Sequence, residues 1–83
     1  MNDKAKAQLK QDKIDAYENV LHKLSHAYCF DGDTDFITVA TEVSKKYKET
    51  IRIYNFLSRN RFEIDEEARK EGDRMLHQLE IGD

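Results

Sequence analysis

Apolar residues recur along the first third of the chain at alternating spacings of three and four. They are Ile14, Tyr17, Leu21, Leu24 and Tyr28. This spacing places them along one face of an α-helix, and Lys10 occupies a slot in the same series that an apolar residue would fill. The pattern predicts a helix over residues 3–29, ended by Gly32, whose polar first turns to residue 12 fray.

The same spacing continues through the middle of the chain. Its slots are Phe36, Ala40, Val43, Tyr47, Thr50, Tyr54 and Leu57. They predict one long helix over 35–59, with Thr34 and the neighbouring aspartates supplying an N-cap and favourable charge at its start. Because β-branched and aromatic residues are frequent here, a β-hairpin at 36–56 in an α+β fold is the alternative. No Gly, Pro or Asn marks the turn that this hairpin needs at 44–48.

A third apolar series predicts a helix over residues 64–80. It comprises Ile64, Ala68, Gly72, Met75 and Leu79. Gly72 costs about 1 kcal/mol in a helix interior relative to Ala, so it marks either a close approach between helices or a tolerated weak point. We therefore predict an all-α fold, an antiparallel three-helix bundle that forms a single domain over 1–83 and is completed within the monomer or by dimerisation.

Composition and charge narrow the functional classes. The 83 residues include 37% charged residues and one cysteine, Cys29, which has no intrachain disulfide partner, so we expect a cytoplasmic protein without a membrane segment. The net charge of −3 hides an uneven distribution, since residues 44–61 sum to +5 and residues 62–83 to −5. These two segments can neutralise each other, within one molecule or across a dimer.

A basic stripe on the predicted middle helix is the strongest surface feature. On one straight helix its residues would lie opposite the core, and we predict that they bind a partner protein with an acidic surface: Lys45, Lys48, Arg52, Asn55, Phe56 and Arg59. The same stripe could instead enter a DNA major groove, with arginine and asparagine reading base edges. Residues 38–57 also have a weak helix-turn-helix pattern, with the turn expected at 43–44.

Two sets of residues are candidate metal ligands. The first reproduces the first, third, fifth and twelfth ligand positions of an EF-hand loop, with Asp31, Asp33, Asp35 and Glu42. Its sixth position is Phe36 instead of the usual glycine, and an acidic cap on the following helix explains the same residues. The second set has transition-metal chemistry at helical spacing, with His22, His26 and Cys29. An exposed polar face explains this set without a metal.

The sequence favours binding over catalysis. Cys29 and His26 form the one nucleophile and base pairing, and no third group orients them, so we expect neither an enzyme nor a cofactor. We predict a small helical protein-protein interaction module that acts by stoichiometric binding as an adaptor, regulator or inhibitor. The alternatives are a nucleic-acid-binding regulator that uses the basic stripe and a weak divalent-metal-binding protein.

Overall fold

The computed structural model describes residues 3–30 and 34–81, with side chains as far as Leu79 at the C-terminal end. Over these residues the chain forms four helices and no strand. They are α1 (Asp3–Cys29), α2 (Phe36–Ser44), α3 (Thr50–Arg59) and α4 (Arg61–Ile81). The all-α fold class and the bounds of the first helix are confirmed, and the β-hairpin alternative is not formed. Gly32, the predicted stop signal, lies outside the described residues.

The predicted single helix over 35–59 is wrong, because the chain breaks it between Ser44 and Thr50. The break contains short-range turns, in which the amides of Lys46 and Tyr47 donate to carbonyls three residues back. Its physical cause is the apolar pattern. On one straight helix Leu57 would share a side with the buried residues of α2, but Ile53 would lie about 80° away from Val43, and the reversal lets both Ile53 and Leu57 reach the core. Ile53 thereby becomes fully buried, whereas Tyr54 of the predicted stripe is half-buried.

The helices also run in directions that differ from the predicted antiparallel bundle. Tyr17 lies close to Glu63 and Glu67, and the later residue Tyr28 lies against Gly72. Later residues of α1 therefore lie beside later residues of α4, which means that the two helices are parallel. The antiparallel neighbour of α1 is α2, which runs back from the C-terminal end of α1 toward its middle. Tyr47, three residues after the end of α2, accepts a hydrogen bond there from Asn19 Nδ2 at 3.0 Å.

The parallel pair is offset along its length. The start of α4 lies near Tyr17, so the first half of α1 has α3 as its neighbour, with Phe56 against Tyr17. At the other end α1 stops at Cys29 beside Gly72, and α4 continues for nine more residues. A single residue, Asn60, separates α3 from α4. The result is a rod with extents of 51 × 21 × 19 Å.

One apolar core joins all four helices. Its fully or almost fully buried members are Ala16, Val20, Leu24, Phe36, Val39, Ala40, Val43, Ile53, Leu57, Ile64 and Ala68. Two buried serines are also accommodated here, because the hydroxyls of Ser25 and Ser44 each donate to a carbonyl one turn earlier at 2.6 Å. No buried side-chain nitrogen or oxygen in the described part of the chain lacks a hydrogen-bond partner.

α1 and α4 approach each other closely at Gly72. A Cβ atom placed there would lie 3.0 Å from Tyr28 Cβ and 3.1 Å from the Ser25 carbonyl oxygen, so the close-approach interpretation of this glycine is confirmed. Tyr28 then extends along α4, where its hydroxyl donates to Asp65 and its ring lies 5.1 Å from the Arg69 guanidinium. This hydrogen bond holds the pKa of Asp65 below its usual value. Burial, and then the same hydrogen bond, raises the pKa of Tyr28.

Candidate functional site

A cleft runs between the first half of α1 and the outer side of α3. It consists of two adjoining hollows of about 220 and 440 Å³ that share Leu9, Lys13 and Arg52. We call it the basic cleft and define it by eight lining residues: Lys6, Leu9, Lys10, Lys13, Arg52, Asn55, Phe56 and Arg59. The break before Thr50 creates this cleft, because it turns α3 back alongside α1.

The floor of the basic cleft is apolar. Leu9 and Phe56 are both half-buried, and the Phe56 ring lies 6.5 Å from the ring of Tyr17, which fixes it against α1. The Lys13 ammonium nitrogen lies 5.5 Å from the centre of the Phe56 ring, within the range of a cation-π contact. An occupant of the cleft would therefore meet apolar surface at the bottom and positive charge at the sides.

The acidic residues of α4 do not neutralise the charge of the basic cleft. Five of its eight lining residues are Lys or Arg and none is acidic. Arg52 Nε lies 3.6 Å from a carboxylate oxygen of Glu49, an exposed ion pair that contributes little. The acidic residues of α4 pair instead with basic residues one turn away on α4, as Asp65 does with Arg69 at 3.2 Å. Among the described side chains, no ion pair joins α4 to the cleft.

The broken helix divides the basic stripe predicted from the sequence. Arg52, Asn55, Phe56 and Arg59 come together in the cleft, whereas the first two lysines of the stripe lie elsewhere. Lys45 lines a separate hollow beside Ile51 and Tyr54. Lys48 lies on another side of α1, near Ala5 and Asp12. Both lysines are exposed in the segment between α2 and α3, so a continuous stripe from Lys45 to Arg59 is not formed.

Half of the cleft was missed by reasoning from the sequence. Lys6 and Lys10 belong to polar turns of α1 that were expected to fray, and neither they nor Lys13 carried a predicted role. Lys10 was nevertheless visible as the one basic residue in the apolar series of this helix. A lysine at such a slot indicates a helix face that has no apolar neighbour, and here that face lines the cleft.

The histidines and cysteine of α1 do not converge. The rings of His22 and His26 lie 4.3 Å apart, and both side chains are exposed. Cys29 is buried with 8% of its surface exposed, and its backbone nitrogen faces the Gly72 contact with α4. In the described part of the chain no three His, Cys, Asp or Glu side chains are grouped closely enough to hold a metal ion.

The predicted calcium ligands are only partly described. Asp31 and Asp33 lie outside the described residues. Asp35 is the N-cap of α2, where its carboxylate accepts a hydrogen bond from the Thr38 amide at 2.8 Å. That hydrogen bond lowers the pKa of Asp35. Glu42 is exposed in α2. The capping role that the sequence offered as the simpler explanation is thus formed by Asp35.

Two further observations bear on the functional class. Within the residues that the structure describes, no helix combines the length and the apolar character needed to cross a lipid bilayer. Comparisons of the chain with protein-family models, with curated proteins and with solved structures returned no match. The case for a function therefore depends on the basic cleft.

Proposed function

We propose that this protein is a small cytoplasmic binding module, and not an enzyme, that holds an acidic amphipathic helix of a partner protein in the basic cleft. It acts by stoichiometric binding, as an adaptor, regulator or inhibitor does. The observation that carries the proposal is the cleft's composition, with five basic side chains around the apolar floor of Leu9 and Phe56 and no acidic lining residue.

The shape of the cleft supports a helical partner segment. A groove between two roughly parallel helices is a common receptor for an amphipathic helix, which places its apolar face on the floor and its polar face toward the rims. Phe56 offers the kind of aromatic anchor that dominates binding energies. A small anion would use the basic rims and leave the apolar floor without a function.

The charge of the cleft supports an acidic partner. Lys6, Lys10 and Lys13 follow one another along α1, and Arg52 and Arg59 face them from α3. Such a concentration of one sign attracts an oppositely charged surface during diffusion and raises the association rate. Binding of this kind weakens as salt is added, because exposed charges are screened within about 8 Å at physiological ionic strength.

Fluorescence anisotropy with a labelled acidic helical peptide tests the proposal directly. The probe is a synthetic helix of about five turns with glutamates on one face and leucines on the other. We expect saturable binding at low salt that weakens as salt is added. Arg52→Glu with Arg59→Glu should reduce the affinity at least about tenfold, which corresponds to 1.4 kcal/mol or more.

A matched control separates the cleft from the stripe predicted on one straight helix. Lys45→Glu with Lys48→Glu changes the net charge by the same amount but alters side chains outside the cleft. We expect this control to retain most of the affinity. Equal losses in both double variants would contradict a cleft-specific site, and no binding by the unaltered protein would contradict the proposed function.

Nucleic acid is the second candidate partner, because α2 and α3 form two short helices joined by a turn. Arg52, Asn55 and Arg59 are exposed on the second of these helices, which is the one that carries base contacts in a helix-turn-helix protein. The test is anisotropy of a labelled random duplex at two salt concentrations. Binding that falls steeply with salt and is lost in Arg52→Glu with Arg59→Glu would favour this candidate over the acidic helix.

A further inference from the structure

The last two turns of α4 have no neighbouring helix in the same molecule. α1 ends at Cys29, beside Gly72, and α4 continues to Ile81, which is about 13 Å further at 1.5 Å per residue. The face that packs on α1 up to Gly72 continues beyond that point. There Leu76 is 42% exposed and Leu79 60% exposed. An apolar helix face that extends beyond the helix it packs on is typical of a contact with another molecule.

This end of α4 has the chemistry that the basic cleft requires. Residues 71–81 of α4 contain three acidic residues and one basic residue, Arg74, for a net charge of −2. Arg74 lies 3.0 Å from Glu71 and is already paired. Asp73 is exposed and forms no ion pair within 4.0 Å among the described side chains. The end of α4 is therefore an acidic helix with two exposed leucines, complementary to a basic cleft with an apolar floor.

The two surfaces lie toward opposite ends of the rod. The cleft lies beside residues 6–13 of α1, and the exposed leucines lie beyond the last residue of that helix. The rod is 51 Å long, too long for the end of α4 to reach the cleft of its own molecule, because both helices are straight elements of one packed core. Two copies placed side by side in opposite directions bring each acidic end level with the other copy's cleft along the length of the rod. A two-fold axis near the middle of the rods repeats the contact and closes the assembly.

We infer that the basic cleft binds the acidic end of α4 from a second copy of this chain, reciprocally, in a two-fold dimer. The inference rests on the proposed function, because it uses the same cleft as the receptor for an acidic amphipathic helix. The inference identifies one such acidic helix, the end of α4 in a second copy of the chain. A heterologous partner then has to displace the second copy, so partner binding and dimerisation exclude each other.

Light scattering after gel filtration of the full chain is the first test. We expect a mass of twice 9.8 kDa at high micromolar concentration. Leu76→Gln with Leu79→Gln should weaken dimerisation at least about tenfold without loss of helix content, since both side chains are exposed. The matched control is Ile37→Gln with Ile51→Gln, which removes two exposed apolar side chains outside both surfaces and should leave the dimer intact.

A mixing experiment identifies which surfaces meet. Arg52→Glu with Arg59→Glu leaves the α4 end intact, and Leu76→Gln with Leu79→Gln leaves the cleft intact. Each double variant alone should be monomeric, and their equimolar mixture should form a heterodimer through the one remaining contact between the intact end and the intact cleft. A mixture that forms no more dimer than either double variant alone, or a leucine variant that dimerises as tightly as the unaltered chain, would overturn the inference.

The two proposals fail in different ways. A chain that is monomeric at high concentration but binds the acidic peptide would overturn the dimer and leave the proposed function standing. A dimer that survives Arg52→Glu with Arg59→Glu would overturn the inference as well, because the cleft would not be its interface. If the dimer forms as inferred, the leucine variant should bind the acidic peptide more tightly than the unaltered chain, since no second copy competes for its cleft.

Discussion

The two ends of α1 have opposite characters. Around Ser25 and Tyr28 the helix lies so close to α4 that a Cβ atom at Gly72 would crowd it, and a tyrosine-carboxylate hydrogen bond extends the contact. Around Lys6 and Lys10 the same helix is exposed and lines a groove rich in positive charge. One continuous helix thus supplies both a close helix contact and one wall of an open basic groove. The difference shows that the close packing and the exposed basic groove lie on separate stretches of α1, so we expect that each can be altered without the other.

Gly72→Val should produce the largest loss of stability. Valine would place its Cβ 3.0 Å from Tyr28 Cβ and 3.1 Å from a backbone oxygen of Ser25, neither of which is the movable end of a flexible side chain. We expect the free energy of unfolding to fall by about 2 kcal/mol, as for other overpacked cores. Urea unfolding measures it, with the exposed neighbour substitution Asp73→Val as control. A variant more stable than the unaltered protein would show that the packed end tolerates separation of the helices.

Tyr28→Phe should have an intermediate, pH-dependent effect. It removes the hydroxyl that donates to Asp65, and we expect a loss of about 1 kcal/mol at neutral pH. Because that hydrogen bond lowers the pKa of Asp65 in the folded state, its contribution is present above the ordinary Asp value of 3.8 and disappears as pH falls through the lower folded value.

Unfolding curves of the Tyr28→Phe variant and the unaltered protein, taken at neutral pH and well below 3.8, measure this change. The difference between the two proteins should narrow in acid. Arg69 pairs with Asp65 in both proteins, so the comparison isolates the tyrosine. A difference that stays constant with pH would mean that the hydroxyl does not act through the charged carboxylate.

Lys6→Gln with Lys10→Gln should have the smallest effect on stability, and in the opposite direction. Both lysines line the cleft together with other cations, so their removal relieves repulsion. We expect a gain of about 0.5 kcal/mol at low salt that vanishes at high salt. Thermal melts at the two salt concentrations check it, with Lys23→Gln, exposed in the middle of α1, as control. A loss of stability larger than that of the Lys23→Gln control would mean that these lysines contribute to packing. The two ends of α1 would then not differ in the way described above.

Regular spacing made α1 predictable and the break after α2 unpredictable. The three-and-four series specified a helix over 3–29, and the structure has Asp3–Cys29. The same rule joined Val43 to Leu57 in one series, because every slot was occupied by an apolar or half-apolar residue. No glycine or proline marks the break, and its cause is burial, since Ile53 reaches the core only after the chain reverses. Local spacing does not contain that information.

The candidate site was predictable only on its α3 side. The four cleft residues of α3 lie on one side of a short helix because of their sequence spacing: Arg52, Asn55, Phe56 and Arg59. This spacing stays the same whether the helix is long or short, so the wrong helix length did not affect it. The lysines of α1 face them only because α3 runs parallel to α1. Helix direction follows from tertiary packing and the path of the connections, which a reading of charge along the chain does not reveal. Lys10, placed in an apolar slot, was the remaining local signal.

The elongated shape has a consequence for rotational diffusion. α1 spans about 40 Å at 1.5 Å per residue, so it must lie along the 51 Å dimension of a particle only 21 by 19 Å across. Its amide N–H bonds therefore point along the long axis and report the slowest tumbling of the molecule. Nuclear spin relaxation of the monomer would then suggest a heavier particle than it is. Side-by-side pairing adds width and little length, so a dimer would be heavier and at the same time rounder.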